Sequence, residues 1–172
     1  MKEIICSEVI DQREAEDTMT NSQKQGKTQA ISLHIVTEWK TEEIVDLYRV
    51  AGWWENNSEK AKIPDLIRGS HRFVVAIDEI TGVAVGMGRT ISDGVSDAYI
   101  QDVVVRKEYR RCYIGLQIVQ FLTELCAEDG ISWVGLISEP GTTPFYKKIG
   151  FQPMEQYVPM IYRKMISDAL PE

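Results

Sequence analysis

The sequence predicts a single α/β domain built on a mixed sheet. Three observations lead there. Runs of alternating apolar residues recur along the chain, two stretches repeat apolar residues at helical spacing, and glycine, proline or Asp-Gly signals separate them. The resulting order is strand, two helices, three strands, helix, strand, helix, strand, with no internal repeat. At 172 residues, 44% of them hydrophobic and 26% charged, the chain is long enough to bury a substantial core.

Residues 1–29 are read as a polar appendage, in which only "EIICSEVI" has the character of a strand or short helix, and residues 30–172 as the domain proper. "AISLHIVT" is the first strand of the domain. Thr41 caps a helix whose Ile44, Val45, Leu47, Tyr48 and Ala51 share one face, and Gly52 stops it. A second short helix starts at Ser58 or Pro64 and runs to Arg68. "RFVVAID" and "GVAVGMGRTI" form a hairpin through "DEITG", and "AYIQDVVV" is the next strand. "IGLQIVQFLTELCAEDG" is an amphipathic helix with Ile114, Ile118, Phe121, Leu122 and Leu125 on one face and Gly130 at its end. "ISWVGLIS" is a buried strand, "TPFYKKIG" a short helix between Pro144 and Gly150, and "QYVPMIYRK" a final strand.

Several function classes are disfavoured. The formal charge of −7 argues against a nucleic-acid surface, because phosphate backbones are held by basic patches. Cys6, Cys112 and Cys126 are scattered and His34 and His71 isolated, so neither a disulfide framework nor a metal cluster is expected. No run approaches the roughly 18 apolar residues of a membrane span, and the first residues lack the order of a secretory signal; a cytoplasmic location is expected. Gly26-Lys27-Thr28 ends like a phosphate loop, but Asn21 stands where the earlier glycine is required and no apolar strand precedes it.

The informative stretch is "EYRRCYIG", Glu108–Gly115, between a strand and the long helix. The first N–H groups of that helix lack intrahelical partners and face the positive dipole end, and Arg110 and Arg111 add two charges. Such a turn suits a pyrophosphate. The plain alternative is a solvated basic helix start.

With its flanks, "VVVRKEYRRCYIGLQIVQFL" resembles the strand, phosphate turn and helix of the GNAT superfamily of N-acetyltransferases, with Arg110 and Gly115 matching its Gln/Arg-x-x-Gly-x-Gly/Ala core. "FYKKIGFQP" is similar to that family's closing motif. The resemblance spans about residues 31–165. It implies a mixed, mostly antiparallel central sheet flanked by about four helices, acetyl-coenzyme A as co-substrate, and no metal. Arg110, Arg111, Cys112, Tyr113, Ile114 and Gly115 would meet the phosphates, and the main chain of Val103, Val104 and Val105 the pantetheine arm. Tyr113 departs from the pattern, which has glycine there; a Cβ and a ring are expected to require an ordinary backbone conformation and more room.

The resemblance also implies the chemistry. Tyr146 stands where the family's general acid lies, its plain alternative being a packed tyrosine. A glutamate common on the preceding strand is replaced by Gln101, so the base is read as Asp102 or Glu139 acting through water, although simple alternation turns Asp102 to the opposite face from Gln101. Asp93, Asp97 and Asp102 would attract an ammonium group, or Asp93 and Asp97 simply build a turn. Trp53 and Trp54 would wall the acceptor site with Glu55 as its polar anchor, or one tryptophan would be core. Cys112, flanked by arginine, is a weaker candidate for a redox-sensitive thiol. The expected activity is direct acetyl transfer to a primary amine of a small molecule. The alternatives are a non-catalytic acyl-coenzyme A module and an enzyme acting on a protein amine. The oligomeric state is left open, a homodimer included.

Overall fold

The computed structural model describes the backbone of residues 2–6, 29–54 and 57–162. The chain divides into two units, Met1–Leu136 and Ile137–Glu172.

In the first unit, six strands lie in sequence order: β1 (Lys2–Cys6), β2 (Gln29–Ile35), β3 (Arg72–Asp78), β4 (Val83–Ser92), β5 (Asp97–Val105) and β6 (Trp133–Leu136). All neighbours are antiparallel except β5 and β6. The first strand falls inside the stretch read as an appendage, where Lys2–Cys6 pairs with Gln29–Leu33. Residues 7–28, with Gly26-Lys27-Thr28, lie outside the described residues.

Two helices follow β2: α1 (Thr41–Ala51) and α2 (Ile63–Arg68), the latter with proline in its first turn. Gly52 ends α1 in the left-handed region at φ 80°, as its place after the apolar repeat predicts. Thr41 does not cap. The helix opens on Lys40, whose carbonyl accepts the amides of Glu43 and Ile44, and no side-chain cap is made. Glu43 joins α1 to the sheet, accepting the Ala84 amide at 2.9 Å and the Trp39 indole N–H at 3.0 Å. Ile44, Val45, Leu47 and Tyr48 of α1 pack with Ile63 and Ile67 of α2 against Phe73, Val75, Met87 and Val104.

Alternation puts the neighbours of those strand residues on the other face, where α3 (Ile114–Glu128) lies. Ile114, Ile118, Leu122 and Leu125 are buried there, with Val119 and Cys126. Phe121 is only partly buried. The helix sits so close to β4 that a Cβ on Gly88 would come within 2.7 Å of Ile118 Cγ2. No described helix is long and apolar enough to cross a membrane.

The second unit carries α4 (Thr143–Lys147), with proline in its first turn and Gly150 at φ 95° beyond its end. The final strand expected at "QYVPMIYRK" is absent over its described part, through Tyr162. Gln156 turns to φ 68°, and Pro159 has no N–H to give a ladder, so the run is neither extended throughout nor able to pair regularly.

The Gly88 contact makes a direct test. Gly88→Ala is expected to cost about 1–3 kcal/mol by overpacking β4 against α3, measured by urea unfolding. Adding Ile118→Ala, which removes the clashing methyl, is expected to lower the cost of the glycine substitution in that background but not abolish it, because Leu122 Cδ1 and Val103 Cγ2 stay within 3.2 and 3.3 Å.

Candidate functional site

The parallel pairing of β5 and β6 stops early. Asp97, Ala98, Tyr99 and Ile100 pair with Trp133, Val134, Gly135 and Leu136, and β5 then continues through Gln101–Val105 with no strand along that edge among the described residues. The side chains of Val103 and Val105 face α3, within contact distance of Gly88 and Gly86, while Val104 enters the α1 core. Val104 is therefore core by side chain, Val103 and Val105 are half-buried, and all three lie on a main-chain edge that no described strand covers.

Where the edge opens, the strand is bulged. Met87 pairs with Val104 and Arg89 with Gln101, so Asp102 and Val103 together oppose Gly88. Asp102 takes φ 56°, a left-handed conformation that aspartate tolerates better than most residues. The bulge overturns the simple alternation. Gln101 and Asp102 end on the same face, and both reach Arg89: Nε donates to Asp102 Oδ2 at 2.5 Å and Nη2 to Gln101 Oε1 at 3.0 Å. Tyr48 on α1 donates its hydroxyl to the same Asp102 oxygen at 2.7 Å. Burial, followed by the Asp102 charge, pushes the Tyr48 phenol well above its ordinary range.

Beyond β5, a 3-10 turn at Lys107–Tyr109 leads into Arg110, which is extended, then Arg111 at φ 68° and Tyr113 at φ 58°. The expectation for Tyr113 fails at this point. It occupies a glycine-like backbone conformation rather than an ordinary one, with its side chain 57% exposed, so the ring finds room in solvent. Buried Ile114 anchors the start of α3 behind it. Among the described residues, nothing accepts the amides of Arg111, Cys112, Tyr113, Ile114, Gly115 or Leu116; the next amide, Gln117, bonds to the Tyr113 carbonyl at 3.0 Å.

Arg110 Nε donates to the Val105 carbonyl at 3.1 Å, which folds that side chain across the strand end, and neither Arg110 nor Arg111 is in an ion pair among the described residues. Unpaired amides, a helix dipole and two cations are the chemistry that suits a pyrophosphate. Cys112 is a half-buried free thiol beside this turn. Sequence reading missed Gln117, whose side-chain oxygen is buried without a partner among the described residues; a polar residue three positions after Ile114 was the available signal.

The remaining candidates separate. Asp93 accepts the amides of Val95 and Ser96 at 2.8 and 2.9 Å, and those bonds hold its carboxyl below the usual range. It is a turn residue. Asp97 begins β5, five residues before Asp102, or roughly 15 Å along an extended strand. No aspartate cluster forms. Trp53 is 40% exposed and Trp54 packs on the α1 core; their ring centroids lie 6.3 and 6.1 Å from that of Tyr48. Glu55 lies outside the described residues. No group of three metal-ligating side chains occurs among the described residues.

Within the second unit, Tyr146 stacks edge-on between Phe145 and Phe151 at 4.9 and 6.1 Å. Burial, followed by the Glu139 charge, raises its phenol above the ordinary value. Glu139 stands three residues past β6, in a turn whose hydroxyls bind its carbonyl: Thr142 Oγ1 at 2.8 Å and Ser138 Oγ at 3.3 Å.

Comparison with known proteins agrees with this geometry. The family described as Acetyltransferase (GNAT) domain matches residues 69–153, which include β3–β6, the turn and α4. The uncharacterized N-acetyltransferase ycf52 of Pyropia yezoensis is 29% identical over 111 residues, 63% of each chain. The chloroplastic GCN5-related N-acetyltransferase 1 of Arabidopsis thaliana is 32% identical over 93 residues, 54% of this chain and 47% of its own. The chain thus spans about half to two thirds of the curated relatives it matches. A GNAT-family acetyltransferase structure from Streptococcus pneumoniae superposes with a TM-score of 0.67 over 78% of this chain and 98% of its own, at 24% identity. Residues 69–153 thus match the Acetyltransferase (GNAT) domain family, and the open-edged sheet agrees with the fold of the GNAT structures to which this chain is similar.

Proposed function

We propose that the protein transfers an acetyl group from acetyl-coenzyme A directly to a primary amine of a small molecule. The observation that carries this reading is the continuous run of partnerless main-chain donors from Arg111 to Leu116, beside a β5 edge that no described strand covers. The turn takes the pyrophosphate on its amides, with Arg110 and Arg111 adding charge. The amide-bearing arm adds to the edge at Val103–Val105 as an extra strand does. The thioester supplies an activated acyl group.

The chain's own residues then move protons. Tyr146 donates to the departing sulfur, and its raised pKa keeps it protonated through neutral pH. Proton removal from the ammonium is assigned to Asp102 or Glu139 through water. Arg89 and Tyr48 both donate to Asp102 Oδ2 and fix the place of the carboxylate on the bulge. Direct attack by the amine is favoured because Ser32, whose hydroxyl meets His34 Nε2 at 2.8 Å, is only 1% exposed, and no base is hydrogen-bonded to Cys112 among the described residues. Trp53 lies beside Tyr48 at the end of α1 and offers an aromatic wall to the amine.

Thiol release measured across a panel of amines tests the activity. Tyr146→Phe is expected to lower kcat about 100-fold while leaving coenzyme A affinity intact. Because the phenol must be protonated and its pKa is raised, the wild-type rate should fall only above the ordinary tyrosine range, and the variant should lose that alkaline limb. Tight coenzyme A binding without turnover of any amine would instead mark an acyl-coenzyme A-binding module.

Calorimetry tests the turn. Arg111→Ala is expected to weaken coenzyme A binding about tenfold at low salt, and the difference from wild type should shrink as ionic strength rises.

A further inference from the structure

Two non-glycine residues, Arg111 and Tyr113, hold left-handed conformations in the same turn. Such conformations persist only where the surroundings over-determine them. Downstream, buried Ile114 and the body of α3 fix the chain. Upstream, the fixing is done by a hairpin that contributes nothing to the turn itself. The Arg106 amide donates to the Val85 carbonyl at 2.8 Å, and Arg106 Nε to the Ala84 carbonyl at 2.8 Å. Three residues later, the Tyr109 hydroxyl donates to Asp78 Oδ2 at 2.7 Å.

Asp78 is built to receive it. It is the last residue of β3 and only 3% exposed, and Oδ1 accepts the amides of Ile80 and Thr81 at 2.9 and 3.3 Å. Burial alone would raise its carboxyl, but the bonds from Tyr109, Ile80 and Thr81 together hold it below its ordinary value. The carboxylate is therefore ionised and rigid, and Tyr109 is tied to a fixed point one residue before Arg110.

We propose that Asp78 and Tyr109 form a latch that positions the coenzyme-binding turn, holding Arg111 and Tyr113 in the left-handed conformations a glycine would otherwise adopt unaided. The inference rests on the reading of this turn as a phosphate site. Asp78 and Tyr109 touch no phosphate; they act through the backbone of residues 110–113. The latch compensates in part for the tyrosine at position 113, and so its loss should matter less when that residue is glycine, while Arg111 still needs it.

The test compares wild type, Tyr109→Phe, Asp78→Asn, Tyr113→Gly and the double variant Tyr109→Phe/Tyr113→Gly by calorimetry with coenzyme A and by amide exchange. Tyr109→Phe removes one oxygen from a partly exposed ring, so it should fold even if Asp78→Asn does not. It is expected to weaken coenzyme A about tenfold, the effect of a hydrogen bond to a charged group. It should also speed exchange at Arg111–Leu116 relative to the α3 interior. The glycine background should make both effects smaller. Wild-type affinity and exchange in Tyr109→Phe would overturn the latch. So would an equal loss with Tyr and with Gly at position 113, because that is what a merely structural bond would produce. A wild type that binds no coenzyme A refutes the phosphate reading; the latch is then judged on exchange alone, where unchanged turn amides in Tyr109→Phe refute it.

Discussion

The candidate site depends on main-chain hydrogen bonds that the fold leaves unmade. Protein interiors pair almost every backbone donor and acceptor, and an unpaired group away from water costs as much as a lost bond. Among the described residues, this chain leaves two adjacent sets without a strand or carbonyl partner: the β5 edge from Gln101 onward, where Arg110 Nε takes the Val105 carbonyl, and the amides of Arg111–Leu116. The first follows from one strand ending early, the second from the start of a helix. Because β6 stops at Leu136, opposite Ile100, the second half of β5 has no parallel neighbour. The same strand leads, within six residues of its end, to the amides of the α3 entry.

The bulge at Asp102 sets the other side of the site. An extra residue opposite Gly88 turns Asp102 onto the face of Gln101 and α1, where Arg89 and Tyr48 converge on one carboxylate oxygen. Tyr48 also lies within 6.3 Å, centroid to centroid, of both Trp53 and Trp54. One phenol therefore connects the strand irregularity with the segment that follows α1. The ion pair does not reduce to a charge for attracting amines, because Arg89 neutralises the aspartate. Its first effect is to hold an unusual backbone conformation in place.

Most of the fold was legible because its signals are local. Helical spacing located α1 and α3, Gly52 and Gly130 marked their ends, and the β3–β4 hairpin was announced by its turn. The basic turn before α3 was legible from charge and helix position. What was not legible depended on contacts distant in sequence. A bulge is a relation between Asp102 and Gly88 on another strand, so alternation alone turned Asp102 the wrong way. Tyr113 was read by its side chain, yet the backbone conformation was decided by Ile114 on one flank and the segment after β5 on the other. The strand expected at "QYVPMIYRK" was read from apolar content, which outweighed the missing donor of Pro159. Asp93 was better read as a turn former than as a ligand, since its two oxygens are within reach of the amides and hydroxyl of its own loop.

Backbone amide NMR of the isotope-labelled protein, titrated with coenzyme A, tests the central claim most directly. If the unmade main-chain bonds are the binding site, the largest shift changes fall on the amides of Arg111–Leu116 and along Gln101–Val105, with smaller changes elsewhere in the sheet. Saturable binding that leaves those amides unmoved and shifts another part of the molecule would contradict it.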